Sequence, residues 1–110
     1  MRIRKIKDKD IYSAAELIRR SGHNLDADLL MRRLHDFQYK RNHTVVVASK
    51  QSKLISLMHI GIEPSLIKDR TAYIYSLFVD DEAKNMANNL LVFAKEWAKQ
   101  HGCNVVRRFD

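Results

Sequence analysis

Apolar positions follow two periods along the chain, and the changes between them mark out its elements. Residues 2–7, Arg-Ile-Arg-Lys-Ile-Lys, alternate imperfectly and predict a short first strand. Ile11, Ala14, Ala15 and Ile18 then recur at helical spacing, with Asp8 or Asp10 as the N-cap and Ser21-Gly22 as the stop. A second helix is predicted through Leu30, Leu34 and Phe37, capped by Asp26, with Arg32, Arg33 and Asp36 outside its apolar stripe. Residues 44–48 are β-branched and nearly continuous, the pattern of a strand covered on both faces, and residues 49–52 turn it into a partner strand over 54–60. Residues 63–70 hold Pro64, the only proline, and read as a loop into 72–79, the most regular strand pattern in the chain. After Val79 the period changes from 2 to 3.6: Met86, Leu90, Phe93, Ala94 and Trp97 share one face of a long helix. Gly102 ends that helix, and residues 103–109 predict a last strand, parallel to 72–79 because a helical crossover joins the two.

With 110 residues and 45% hydrophobic content, the chain has room for one core, so residues 1–110 are expected to form a single domain. No stretch approaches the roughly 20 apolar residues of a membrane-spanning helix, and the N-terminal Met1-Arg2-Ile3-Arg4-Lys5 runs into charge rather than an apolar signal segment. Cys103 is the only cysteine, which rules out an internal disulfide and suits a reducing cytoplasm.

Twenty Lys and Arg against thirteen Asp and Glu give a net charge of +7, a balance that attracts polyanions such as nucleic acid, anionic lipid or the phosphates of coenzyme A. The basic residues are scattered, as on an ordinary solvated surface. Tyr12, Phe37, Tyr39, Tyr73 and Tyr75 do not form the basic-Gly-aromatic pattern of an RNA-binding sheet. Nucleic-acid binding therefore rests on charge alone, with the basic aromatic stretch 32–41 as its best local support.

The order strand, helix, helix, three strands, helix, strand resembles the core of the GNAT superfamily, the acyl-CoA-dependent N-acetyltransferases. Residues 72–80 (AYIYSLFVD) look like that family's fourth strand, and residues 90–98 (LLVFAKEWA) with His101-Gly102-Cys103 look like its third helix and following turn. Glu63-Pro64-Ser65-Leu66 sits where many members carry a similar loop. The resemblance spans the whole chain. It implies an α/β fold with a mixed, mainly antiparallel sheet, helices on both faces, and transfer of acetyl from acetyl-CoA to an amine, on a small molecule or a protein.

In that family the backbone of the fourth strand pairs with the pantetheine arm, which implies roles for Leu77, Phe78 and Val79. A loop of pattern Q/R-x-x-G-x-G/A at the start of the third helix holds the pyrophosphate, where free N–H groups and the helix dipole favour negative charge. The matching segment, residues 80–89 (DDEAKNMANN), contains no glycine and aligns about two residues shorter. Lys84, Asn85, Met86, Ala87, Asn88 and Asn89 are the implied phosphate-side residues. Asn85 is able to take the left-handed conformation a glycine would supply, and Lys84 is the implied replacement for the lost Arg, its charge opposed by Asp80, Asp81 and Glu82 close by. Many members place a Glu on the fourth strand to deprotonate the amine; the matching residue is Tyr75, whose phenol is a weak base at neutral pH.

Members of the family usually continue with a helix and two more strands, whereas this sequence ends at Asp110. The last strand would then present an open edge, and a second copy, or another protein, is expected to cover it. Five histidines (His23, His35, His43, His59, His101) lack H-x-x-x-H or C-x-x-C company, so no metal site is expected. His59 draws interest because its strand borders the acceptor cleft in the family. Cys103 has no neighbour to activate it. Two readings stay open: an acetyltransferase, weakened or inactive, and a non-catalytic module of the same fold acting through protein contacts.

Overall fold

The computed structural model describes residues 2–38, 40–67 and 69–109. Tyr39 of the basic aromatic stretch and the terminal Asp110 lie outside them. The elements run β1 (Ile3–Lys5), α1 (Ile11–Arg20), α2 (Ala27–Gln38), β2 (His43–Lys50), β3 (Lys53–Glu63), β4 (Thr71–Val79), α3 (Met86–Gln100) and β5 (Val105–Arg108). The strands lie side by side in sequence order in one five-stranded sheet. All neighbours pair antiparallel except β4 and β5, which are parallel and joined by α3. This is the mixed α/β sheet expected from the sequence.

The two faces of β2 explain how the layers form. Val45 and Val47 turn to one side and pack with Leu57 beneath Ile11, Ala14, Ala15, Leu17 and Ile18 of α1 and Leu30 of α2. Val46 turns to the other side and packs with Met58, Ile60, Ala72 and Ile74 beneath Leu90, Ala94 and Ala98 of α3. Both faces are therefore covered, as the unbroken β-branched run demands, and each fully buried aliphatic side chain contributes about 1.5–3 kcal/mol. Among the described residues no helix is long and apolar enough to cross a membrane.

Several local expectations change. Asp26 accepts the Leu29 N–H at 2.8 Å and caps α2 as read. Asp10 does not cap α1: its carboxylate turns back to accept the Lys7 N–H at 2.8 Å and two bonds from Arg4 at 2.7 and 2.9 Å. A charge-assisted bidentate pair outcompetes one cap bond, and it ties β1 to the start of α1. β1 is correspondingly short. On α3 the fully buried line is Met86, Leu90, Ala94 and Ala98, while Phe93 and Trp97 are half-buried and Trp97 stacks on His101 at 4.2 Å. β3 runs three residues past the expected end, to Glu63. That extension sets His59, Gly61 and Glu63 on one face of the sheet.

Candidate functional site

The site begins with an irregularity in β4. Ser76 lies opposite His59 and Ile74 opposite Ile60, which leaves Tyr75 as an extra residue with no partner on β3. Such a bulge reverses the alternation of side chains. Before it, Ala72 and Ile74 face α3; after it, Leu77 and Val79 do. Pairing with β5 stops at the same place, with Ile74 opposite Arg108 and a last bond from the Phe109 N–H to the Ile74 carbonyl at 3.1 Å.

Beyond Ile74 the edge of β4 that faces β5 is unpaired among the described residues. The Asp80 N–H bonds the Ile55 carbonyl on β3 at 2.8 Å and so fixes the phase of the strand. By alternation, the N–H and C=O of Leu77 and Val79 point away from β3 into the opening between β4 and β5. Phe78 turns its backbone to β3 and its side chain to the opposite face, against His23 at 5.4 Å.

From Asp80 the chain makes a single 3-10 turn, Asp81–Ala83, and enters α3. Ala83 and Met86 are buried against Ala48 and Ile55, which anchors the turn to the sheet. Asn85 has φ −65° and ψ −19°, a right-handed conformation rather than the left-handed one considered from the sequence. No described residue of 80–89 has positive φ. The backbone here is an ordinary helix start, and the Ala87 N–H is occupied by the Lys84 carbonyl at 3.2 Å. Any contact to a ligand from position 86 would come through the backbone, because its side chain is buried. Lys84, Asn85, Asn88 and Asn89 are exposed and Ala87 half-exposed. Asp80 is engaged by Arg20 at 3.2 Å and Lys53 at 3.5 Å, so it opposes the charge of Lys84 less than the sequence suggests.

On the other face of the sheet, the side chain of Tyr75 joins a cluster of rings. His43 Nδ1 lies 3.1 Å from His59 Nε2. Phe37 of α2 stands 4.3 Å from His59, and Tyr75 stacks on His59 at 4.9 Å and on His43 at 5.6 Å, centroid to centroid. Phe109 closes the far side, 4.7 Å from Tyr75. The His43 ring lies directly across Gly61, where a Cβ would overlap it, so glycine there makes room for the pair. The Tyr75 hydroxyl donates to the Glu63 carboxylate.

Burial lowers the His59 pKa to about 4, helped by the neighbouring His43 and Lys40. His43 shifts the same way, again chiefly through desolvation, with Lys40 adding to it and Glu63 opposing. Both rings are neutral at pH 7. Desolvation, then the bond to Glu63, raises the Tyr75 phenol, so it remains protonated and is no base.

Next to this cluster a cavity of about 370 Å³ opens between the sheet and the helices α1 and α2. Leu25, Leu30, Leu34, Leu57 and Phe78 give it an apolar wall, His59 and Ser76 face it from the sheet, and Arg33 lines it from α2. None of the described residues lining it is acidic. Ser76 precedes Leu77, so the cavity adjoins the strand whose edge is open.

The fold thus gathers Tyr75, Leu77, Phe78 and Val79 in one stretch of β4, with residues 84–89 at the start of α3. Tyr75 itself packs in the ring cluster. The bulge and the His43 partner of His59 were not anticipated from the sequence. A signal for the bulge exists: apolar positions facing α3 shift from 72 and 74 to 77 and 79. Cys103 is a buried free thiol, and no group of three or more His, Cys, Asp or Glu among the described residues forms a metal site.

The family model described as "Acetyltransferase (GNAT) family" matches residues 11–109. Solved structures share the fold at low identity. A GNAT family acetyltransferase from Staphylococcus aureus superposes with TM-score 0.85 at 17% identity, covering 99% of this chain and 85% of that one. The glucosamine-6-phosphate N-acetyltransferase of Arabidopsis thaliana gives 0.84 at 19%, covering 99% and 81%. A transcriptional regulator from Bacillus halodurans gives 0.85 at 16%, again covering 99% and 81%. No curated protein sequence matches the chain significantly.

Proposed function

The chain belongs to the acetyltransferase (GNAT) family, and from that premise we propose that it binds acetyl-CoA along β4 and transfers the acetyl group to an amine. The observation that carries this reading is the open edge of β4 beyond Ile74, where the Tyr75 bulge and the end of β5 pairing leave the Leu77 and Val79 peptide groups without a partner among the described residues. An extended amide-bearing arm completes such an edge with backbone hydrogen bonds and needs no particular side chains.

The coenzyme supplies an acetyl thioester, activated toward attack by a neutral amine. Lys84 and the exposed first turn of α3 would face its phosphates, with the helix dipole in their favour. That grip is weaker than a glycine loop, because residues 80–89 keep right-handed or extended backbone and Met86 is anchored inward. The cavity over His59 and Ser76 receives the acceptor. With Arg33 and no acid among the described residues that line it, the cavity disfavours an ammonium, so the bound amine sheds its proton more readily than in water. As the neutral amine attacks the thioester carbonyl and the C–S bond breaks, the proton its nitrogen loses would pass to the neutral His43–His59 pair and from there to the departing sulfur, which leaves as the coenzyme's thiol. Tyr75, held by Glu63, positions His59 by stacking and does not itself move a proton.

A second reading is favoured by one observation, the conventional helix start at 80–89: the chain is a non-catalytic binding module. In both readings a second copy covers the outer edge of β5, which pairs only with β4 among the described residues. A cytoplasmic location accompanies the proposal, consistent with the free thiol of Cys103. Calorimetric titration with acetyl-CoA tests the proposal: saturable binding supports the transferase, and no heat at millimolar ligand leaves only the module.

A further inference from the structure

We infer that the acceptor of this cavity is an amine separated by an apolar spacer from a carboxylate, an ω-amino acid in chemical class. The inference rests on the cavity being the acceptor site of the proposed transferase. Its wall is aliphatic and aromatic, which suits a hydrocarbon body. Among the described residues its formal charge comes from Arg33 alone, whose guanidinium makes no hydrogen bond or ion pair with any of them. An arginine fork beside an apolar cavity with no acid among its described residues fits a planar anion and rejects a second cation.

Geometry then sets the spacing between the two ends of the ligand. The reacting amine belongs at His59 and Ser76, beside the Leu77 edge. Phe37, which touches His59, lies one helical turn beyond Arg33 on α2, an offset of about 6 Å along the axis. That is the offset of the two backbone positions, and the reach of the Arg33 side chain adds to it, so a chain of about six single bonds suits the two ends, whereas the amine and carboxylate of an α-amino acid are too close together.

The experiment follows amide and side-chain NMR signals of the coenzyme-free protein during titration with 6-aminohexanoate, hexylamine and L-leucine. The expected result is saturable shifts at His59 and Ser76 with 6-aminohexanoate, and affinities at least about tenfold weaker for the other two. Arg33→Gln, at an exposed position, should keep its melting temperature and lose the preference for 6-aminohexanoate over hexylamine. Equal affinity of hexylamine, tighter binding of leucine, no binding of 6-aminohexanoate, or an unchanged preference in Arg33→Gln each overturns the inference. Acetyl-CoA binding alongside any of these leaves the transferase reading standing. Binding of 6-aminohexanoate without any binding of acetyl-CoA overturns that reading, and with it the ligand's role as acceptor.

Discussion

His43 on β2 and His59 on β3 meet at 3.1 Å, Nδ1 to Nε2, beneath the rings of Phe37 and Tyr75. One ring must donate and the other accept, so the pair is satisfied only when both imidazoles are not charged together. Two cations at this distance would repel, and partial burial has already lowered both basicities.

Stability should therefore fall on mild acidification. The folded His59 titrates near 4 against 6.5 for an unperturbed histidine, so the unfolded chain binds the proton first. The contribution is complete above pH 6.5 and is lost as pH falls toward 4. Because the ring is partly exposed, the loss amounts to about 1–2 kcal/mol after discounting for solvent screening. Urea unfolding of the wild type and of His59→Asn at pH 7.5 and 5 checks this: the wild type should weaken clearly more than the variant, in which His43 alone of the pair still titrates. Loss of the Arg4–Asp10 pair belongs to a lower window, because Arg4 holds the Asp10 carboxyl below its usual range.

Gly61→Ala should cost about 1–3 kcal/mol, since the new methyl overlaps the His43 ring and forces it off His59. Combining it with His43→Ala removes the clash. In a double-mutant cycle the two changes should cost clearly less together than the sum of their separate effects.

Proton uptake by the imidazole pair predicts unequal effects on acetylation. His59→Asn should lower kcat by about 100-fold or more, while Tyr75→Phe, which keeps the stacked ring and loses only the bond to Glu63, should change it by less than about threefold. Thiol release from acetyl-CoA with an amine acceptor gives both numbers. A large drop in Tyr75→Phe would reassign the proton to the phenol.

Element order, both hairpin strands and the parallel crossover were legible because each rests on a local period: the β-branched run at 44–48, the alternation at 72–79, the helical line from Met86. What escaped depends on register. His43 and His59 are sixteen residues apart and become neighbours only through one strand pairing, which no periodicity reveals. The Tyr75 bulge left a trace, the shift of apolar positions from even to odd across Ser76, but a strand read as uniform hides it. The missing glycines at 80–89 were plain in the sequence. That Asn85 stays right-handed was not, because its backbone is held by the burial of Ala83 and Met86 on either side.

The hairpin turn offers a test independent of function. Gln51 and Ser52 join β2 to β3 with φ of 53° and 67°, a pair of left-handed residues that Asn-Gly adopts with less strain. Gln51→Asn with Ser52→Gly should stabilise the fold by about 1 kcal/mol, read as a higher melting temperature without loss of coenzyme binding.

Sedimentation equilibrium tests the proposed second copy at the edge of β5. A dimer is expected, and inserting a proline at Val106, where Ala72 lies opposite on β4, would confuse folding with assembly. Arg107→Glu together with Arg108→Glu alters only exposed side chains of that edge and should weaken association while leaving the melt cooperative. A wild-type monomer at high concentration would refute the second copy.

The open edge of β4 is tested most directly by following the amide signals of Leu77 and Val79 during titration with acetyl-CoA. These two N–H groups should shift together and saturate with a dissociation constant of about 100 μM or tighter, near −5.5 kcal/mol. Both signals standing still at millimolar acetyl-CoA would contradict the account.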